Sequence, residues 1–173
     1  MIFRRDPLPN PSERTDDAQR CLLVAHNAPP TPRLCRLMEE RCSSTGHYEM
    51  HVVVTRFRRS VLVTDPVLGP RAEGKRLADD RVRVDDQTWD VAEARLDSFM
   101  RALGDLGQPL SGEILAGNVR RRVRALLSFN TFDEVVVMTS ASPRRWPTRD
   151  LASKVRQMAR VPVTLIPADD LAA

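Results

Sequence analysis

The sequence predicts an α/β fold, a three-layer α/β/α domain built on a five-stranded parallel sheet. Short, continuous apolar runs, such as LLVA at 22–25 and VVVM at 135–138, are typical of strands that are buried on both faces. Between these runs, apolar residues recur at helical spacing. Strands and helices alternate along the chain, which favours parallel strands joined by crossover helices.

The order of the strands follows from how apolar each one is. The predicted strands are residues 20–26, 50–55, 110–116, 133–139 and 161–166. The first, second and fourth are apolar throughout, so we expect them inside the sheet. The third contains Gly112 and Glu113, and the fifth contains Pro162, which cannot donate to a central ladder, so both belong at the edges. With right-handed crossovers, this ranking predicts the order 3-2-1-4-5.

Helical segments follow the first four strands. Pro32 suits the first turn of the first helix, and Gly46 ends that helix. In the second segment the helical period returns at Gln87 and stops near residues 104–107. Asn118 is a good N-cap for the third helix. Thr148 is predicted to cap the last helix.

The domain is expected to span residues 20–167. Residues 1–19 are rich in proline and charge and are predicted to be a disordered tail, and residues 168–173 a short C-terminal tail. Residues 56–86 are predicted to be a long irregular insertion, since they contain several prolines and glycines. Segments of this length are usually lids, binding loops or disordered. A lid is geometrically possible, because this segment leaves the carboxyl end of the second strand.

The composition and the motifs exclude several classes of protein. The chain has 173 residues, a net charge of +4 and three cysteines without a CxxC pair, so neither a disulfide framework nor a zinc site is indicated. The three histidines lack the spacing of a metal site. There is no P-loop, dinucleotide glycine fingerprint, nucleophile elbow or pair of carboxylates, so we expect no enzymatic activity. No apolar run is long enough to span a bilayer and the N-terminus is not a signal peptide, so we expect a cytoplasmic protein.

The predicted strand order places a ligand crevice between the first and fourth strands. In such sheets the chain reverses its winding direction there, and ligands bind beyond the carboxyl ends of the strands. The candidate binding residues lie at those strand ends and in the loops that follow them. They are Ala25, His26, Asn27, Val54, Thr139, Ser140, Ser142, Arg144, Arg145 and Thr148.

Three of these positions have an alternative interpretation. Arg144 and Arg145 could hold an anion together with the helix start at Thr148. The interpretation that we favour is that they are solvated and pair with Asp150 or with the acidic residues of the long insertion. His26 could contact a ligand or cap the end of the first strand.

Several stretches of the chain resemble the universal stress protein family. They are the strand that opens at Cys21, the segment AEARLDSFMRALGDLG followed by LSGEILAGN, and the run FDEVVVMTSASPRRWPTRDLASKV that leads to VPVTLI. The similarity covers most of residues 20–167 and is greatest to divergent actinobacterial members. It implies a Rossmann-like parallel sheet in the order given above. It also implies a homodimer formed through the last strand, Val161 to Ile166, whose apolar edge needs covering.

Many members of that family bind ATP through a loop of the form G-x2-G-x9-G-[ST] after the fourth strand. The glycines of that loop let the backbone approach the phosphates. Here residues 139–147 contain no glycine, so the resemblance does not carry ATP binding over to this chain. No cofactor is expected, and ATP stays the possible exception. The sequence thus predicts a non-enzymatic, stress-related regulatory module with a degenerate nucleotide crevice. The alternative is a protein that still binds an adenine nucleotide or another phosphate ligand there.

Four arginines of the third helix raise the question of nucleic acid. Arg120, Arg121, Arg122 and Arg124 are predicted to lie mostly on its outer side. Such a run could bind phosphates, but it is usually the solvated side of an amphipathic helix. No aromatic residues alternate with these arginines to stack on bases. We therefore do not expect nucleic acid or a membrane as a partner.

Overall fold

This computed structural model describes residues 18–26, 28–56, 73–139 and 147–167. Within these ranges, residues 73–87, 139 and 147–150 are described by their backbone alone. The strands are β1 (Gln19–His26), β2 (Tyr48–Thr55), β3 (Leu110–Leu115), β4 (Glu134–Thr139) and β5 (Val163–Pro167). The helices are α1 (Pro32–Thr45), α2 (Glu73–Gly104), α3 (Val119–Phe129) and α4 (Pro147–Met158).

The sheet confirms the predicted topology. All four strand pairings are parallel, and the order is β3-β2-β1-β4-β5. β1 lies between β2 and β4, so Leu23 is opposite Val52 on one side and Val136 on the other. β3 and β5 are the edge strands, as their Gly, Glu and Pro residues predict.

The continuous apolar runs are explained by two cores, one on each face of the sheet. Alternate side chains of β1 point to opposite faces. Leu23 and Ala25 are buried with α1 and α2, whereas Leu22 and Val24 are buried with α3 and α4. Each of the four side chains is at most 1% exposed. Residues 21–25 of β1 thus have no solvent-facing position, and this produces the unbroken apolar run.

The ends of α1 agree with the prediction. Thr31 precedes the helix, and its Oγ1 accepts a hydrogen bond from the backbone N–H of Leu34 at 3.2 Å. Pro32 occupies the first turn. Gly46 follows the last turn with a φ of 78°, and its N–H donates to the carbonyl of Cys42. This left-handed conformation favours glycine, which has no Cβ to oppose it.

The start of α2 was predicted wrongly. The helix begins at Glu73, so residues 73–86, which were assigned to the irregular insertion, are helical. Its 32 residues measure about 48 Å, whereas the eight residues of β2 span about 27 Å. Thr88 lies beside Arg56, just past the end of β2. The apolar stripe that predicts α2 from the sequence begins only at Ala92, so it did not indicate the first turns of the helix. Residues 57–72, and with them most of the proposed lid, lie outside the described residues.

Other boundaries differ by two residues at most. β1 starts at Gln19, the last residue of the predicted N-terminal tail, where the N–H of Gln19 donates to the carbonyl of His47 at 3.1 Å. β5 starts at Val163, because Pro162 cannot join the ladder as a donor. α4 starts at Pro147, so Thr148 lies inside its first turn rather than at the cap. Ala18, also assigned to the predicted N-terminal tail, is buried. The rest of the two predicted tails lies outside the described residues.

Gly112 has a packing role that the sequence did not indicate. It lies in β3 beneath α2, and a Cβ built there would be 2.7 Å from Leu96 Cδ1 and 3.3 Å from the carbonyl oxygen of Val52. A side chain at this position would displace Leu96, so glycine favours the close approach of α2 to the sheet. Among the described residues, no helix is both long and apolar enough to cross a membrane.

Candidate functional site

The carboxyl edge of the sheet is where the sequence places a ligand crevice. β1 ends at His26 and β4 at Thr139, and these two residues are directly opposite each other. The chain leaves β1 toward one side of the sheet and β4 toward the other, so this is the point where its winding reverses. The parallel, central placement of β1 and β4, on which the predicted site depends, is confirmed.

The predicted binding residues differ in what they can contribute at this edge. The side chains of Ala25 and Val54 are fully buried in the core beneath α1 and α2, so only their backbones remain available. Thr139 and Thr148 are described by backbone position alone, at the end of β4 and in the first turn of α4. The remaining predicted residues except His26 lie outside the described residues; they are Asn27, Ser140, Ser142, Arg144 and Arg145.

His26 is half-buried at the end of β1 and is held by the end of β2. Its Nδ1 lies 2.9 Å from Oγ1 of Thr55. Burial lowers the pKa of His26, and the positive charge of Arg95 lowers it further. The ring is therefore neutral at pH 7, with one N–H and one lone pair. The bond to Thr55 uses one of these, so the second ring nitrogen has the opposite hydrogen-bonding role.

Arg95 is a component of this edge that sequence reasoning missed. It is partly buried on α2, and burial lowers the pKa of its guanidinium. It forms no ion pair with any residue in the described part of the chain. A signal was present in the sequence: Arg95 is three residues after Ala92 and four before Phe99, both of which are buried. A charged residue on the apolar stripe of a helix is uncommon and indicates a special environment.

A second cation lies at the same edge but is already engaged. Arg56 follows β2, and its Nε donates to Oγ1 of Thr88 at 3.2 Å. Its guanidinium carbon lies 4.9 Å from the ring centroid of Trp89. This cation–π contact attaches the start of the long insertion to α2.

A buried polar cluster lies between the sheet and α3, and the sequence analysis overlooked it. His51 on β2 and Glu113 on β3 are 4% and 1% exposed. His51 Nδ1 is 2.8 Å from Ser111 Oγ, and its Nε2 is 3.7 Å from Glu113 Oε1. On the other side, Arg122 Nη2 donates to Glu113 Oε2 at 3.0 Å. Arg122 was predicted to lie mostly on the outer side of α3; instead its charge is directed into the domain.

The electrostatics of this cluster are dominated by Glu113. Burial alone would raise the pKa of Glu113, but the hydrogen bonds and charges of His51 and Arg122 outweigh burial, so its pKa lies below the usual value. The carboxylate is therefore ionised at neutral pH and attaches α3 to the sheet.

The cluster has the residue types of a hydrolytic triad without an accessible nucleophile. Ser111 is 7% exposed and lies on the face of β3 covered by α3, so a substrate carbonyl cannot reach its hydroxyl in this conformation. Among the described residues, no group of three or more His, Cys, Asp or Glu side chains could hold a metal ion.

The chain is similar in structure to several known proteins. Hypothetical protein MJ0577 aligns with a TM-score of 0.57 at 10% identity, covering 86% of this chain and 95% of the other. A universal stress protein family protein from Arabidopsis thaliana with AMP bound aligns with a TM-score of 0.49 at 12% identity, covering 87% and 92%. A universal stress protein in complex with cAMP aligns with a TM-score of 0.45 at 12% identity, covering 88% and 99%. Neither a protein-family model nor a curated protein matches the sequence.

Proposed function

We propose that this chain, which has the universal stress protein fold, is a non-enzymatic, stress-related regulatory module that binds a small anionic ligand at the carboxyl edge of its sheet. The observation that carries this proposal is Arg95. A partly buried guanidinium without a carboxylate partner among the described residues is costly unless an anion compensates its charge.

Two neighbouring features support an anionic ligand. The neutral ring of His26 offers a donor or an acceptor beside the charge of Arg95. The 12-residue helix α4 begins at Pro147, after β4 has ended at Thr139, so its N-terminus is at the same edge. The first backbone N–H groups of a helix and the positive end of its dipole favour an anion.

The chemistry of the loop after β4 favours a ligand with few phosphates. Residues 139–147 contain no glycine, so the backbone cannot wrap closely around a polyphosphate chain. A nucleoside monophosphate or a cyclic nucleotide needs only one anion site, for which Arg95 and the start of α4 are the two candidates. We therefore expect AMP or a cyclic nucleotide to bind more tightly than ATP.

A thermal-shift series tests this proposal. AMP, ADP, ATP and cyclic AMP are added to the wild type and to Arg95→Gln, and each protein is compared with its own ligand-free melting temperature. A ligand at 100 times its Kd adds about 2.7 kcal/mol of stability, or roughly 5–10 °C for a domain of this size. Arg95→Gln should remove most of that shift.

Arg101→Gln is the matched control, because Arg101 is exposed and on the same helix. This variant should keep the full shift. Arg144→Ala/Arg145→Ala tests whether the two loop arginines contribute. If no ligand shifts the wild type at millimolar concentration, or if Arg95→Gln responds like the wild type, ligand binding at this edge is refuted.

We also propose that the module is a homodimer formed through β5. Val163, Thr164 and Leu165 are partly exposed, and no described strand pairs with the outer edge of β5. An edge strand with unpaired backbone groups and apolar side chains favours pairing with a second copy.

Sedimentation velocity tests the dimer. The wild type should sediment as a dimer at micromolar concentration, and Val163→Lys should shift it toward the monomer, because a buried, unpaired ammonium opposes association. Val91→Lys, which alters an exposed apolar residue of α2, should leave the dimer intact. A wild type that is already monomeric at micromolar concentration would contradict the proposal.

A further inference from the structure

An open groove lies at the amino edge of the sheet, opposite to the candidate ligand site. Its volume is about 880 Å³, within the range of protein binding pockets. It is formed where α3 and α4 end and where β4 and β5 begin. The lining residues on which the inference depends are Arg124, Leu127, Phe129, Phe132, Met158 and Arg160.

The groove combines an apolar floor with an exposed aromatic side chain. Phe132 is 8% exposed, and Leu127 and Met158 pack partly against the core. Phe129, the last residue of α3, is 81% exposed. Among the described large apolar side chains, Val91, at 55%, is the other exposed one. A phenyl ring in water at the rim of an apolar groove is a typical anchor for a partner.

The charge around the groove is mainly positive. Helix α3 contains four arginines and no acidic residue, and residues 151–167 contain no acidic residue either. Arg124 and Arg160 are exposed at the groove and form no ion pair with another residue in the described ranges. One carboxylate, that of Asp133, also lines the groove, but it already accepts a hydrogen bond from the backbone N–H of Arg20 at 2.8 Å.

We propose that this groove docks a segment of a partner protein that combines acidic residues with aromatic or large aliphatic residues. The acidic residues would pair with Arg124 and Arg160, and the apolar residues would cover Phe129 and the floor. A second copy using the same face would place arginine against arginine. A nucleic acid would satisfy the arginines but would leave the apolar floor without contacts. The proposal is independent of ligand binding at the carboxyl edge.

Peptide selection on the full-length chain tests this proposal. A displayed library of random 12-residue peptides is selected on the wild type, and the enriched peptides are titrated by fluorescence anisotropy. The enriched peptides should combine Asp or Glu with Leu, Phe or Trp. Phe129→Ser and Arg124→Glu/Arg160→Glu should each weaken their binding at least about tenfold.

Matched controls distinguish binding in the groove from nonspecific electrostatic attraction and from nonspecific hydrophobic binding. Val91→Ser removes the other exposed apolar side chain, and Arg36→Glu reverses an exposed charge on α1. Both should bind the peptides like the wild type. The changes at Phe129 and at the two arginines are on exposed side chains, so the fold should survive, which far-ultraviolet circular dichroism verifies.

Four results would overturn the proposal. The first is failure to enrich acidic–apolar peptides, and the second is that Phe129→Ser binds the enriched peptides as tightly as the wild type does. The third is tighter binding of a single-stranded 12-nucleotide DNA than of any selected peptide. The fourth is conversion of a dimer to a monomer by Phe129→Ser. The third result would assign the surface to nucleic acid. The fourth would assign it to a second copy of this chain.

Discussion

Arg122→Met should lower the free energy of unfolding by about 2–3 kcal/mol. Removing one partner of a buried ion pair typically costs 3–5 kcal/mol, because it leaves the other charge buried and uncompensated. We expect a loss below that range, because the side chain of Arg122 is 30% exposed and Glu113 keeps its contact with His51. Urea denaturation at pH 7 measures the difference.

The neighbouring arginine provides the control for this prediction. Arg121 is exposed on the same helix, so Arg121→Met removes an equal charge and should change the stability by no more than about 0.5 kcal/mol. Equal losses in the two variants would show that Glu113 does not depend on Arg122.

The pH dependence of stability is a second check on the same cluster. The pKa of Glu113 is lower in the folded protein than in the unfolded chain, where a glutamate titrates near pH ~4.3. Its contribution is therefore fully present above the unfolded pKa and is lost as the pH falls through the folded pKa. Glu113→Gln has no carboxyl group that titrates at this position. The difference in the free energy of unfolding between the wild type and this variant should therefore become smaller as the pH is lowered from 6 toward 3. A constant gap would contradict the assignment.

Tyr48→Ala should be the most damaging single change proposed for this chain, with a loss of about 3–5 kcal/mol. Tyr48 is fully buried at the start of β2. Its hydroxyl donates to the carboxylate of Glu134 on β4. The thiol of Cys21 on β1 lies nearby and stays protonated, because burial raises its pKa to about 12. The side chain of Tyr48 thus links β2 to β4, the strands on either side of β1.

Tyr48→Phe separates the ring from its hydroxyl. The ring stays in the core, but Glu134 loses its buried donor, which should cost about 1–3 kcal/mol. Arg41 Nη2, at 3.6 Å from Glu134 Oε2, moderates this loss. Urea denaturation of the two variants measures the loss of stability from removing the hydroxyl alone and from removing the whole side chain. If Tyr48→Phe is as unstable as Tyr48→Ala, the hydroxyl rather than the packing dominates; if neither loses 1 kcal/mol, the role assigned to Tyr48 is wrong.

The candidate site was only partly predictable from the sequence. His26 could be placed at the carboxyl edge because its position depends on strand order, and the strand order follows from local apolarity. Its bond to Thr55 depends on the register of β1 against β2, residues 29 positions apart. Arg95 approaches this edge only because α2 packs along the sheet. Val54 was selected as a binding residue by position, but its side chain points into the core.

By itself, the sequence determined the strands, three of the four helix starts to within two residues, and the order 3-2-1-4-5. Each of these depends on local apolarity, on proline or glycine geometry, or on the handedness of crossovers. Only the tertiary structure decided which charges are buried. Glu113 weakens a strand when it is considered alone, yet it is a stable buried anion because His51 and Arg122 arrive from β2 and α3. Contacts between residues up to 62 positions apart leave no local pattern, because their partners meet only when the sheet and its helices have assembled.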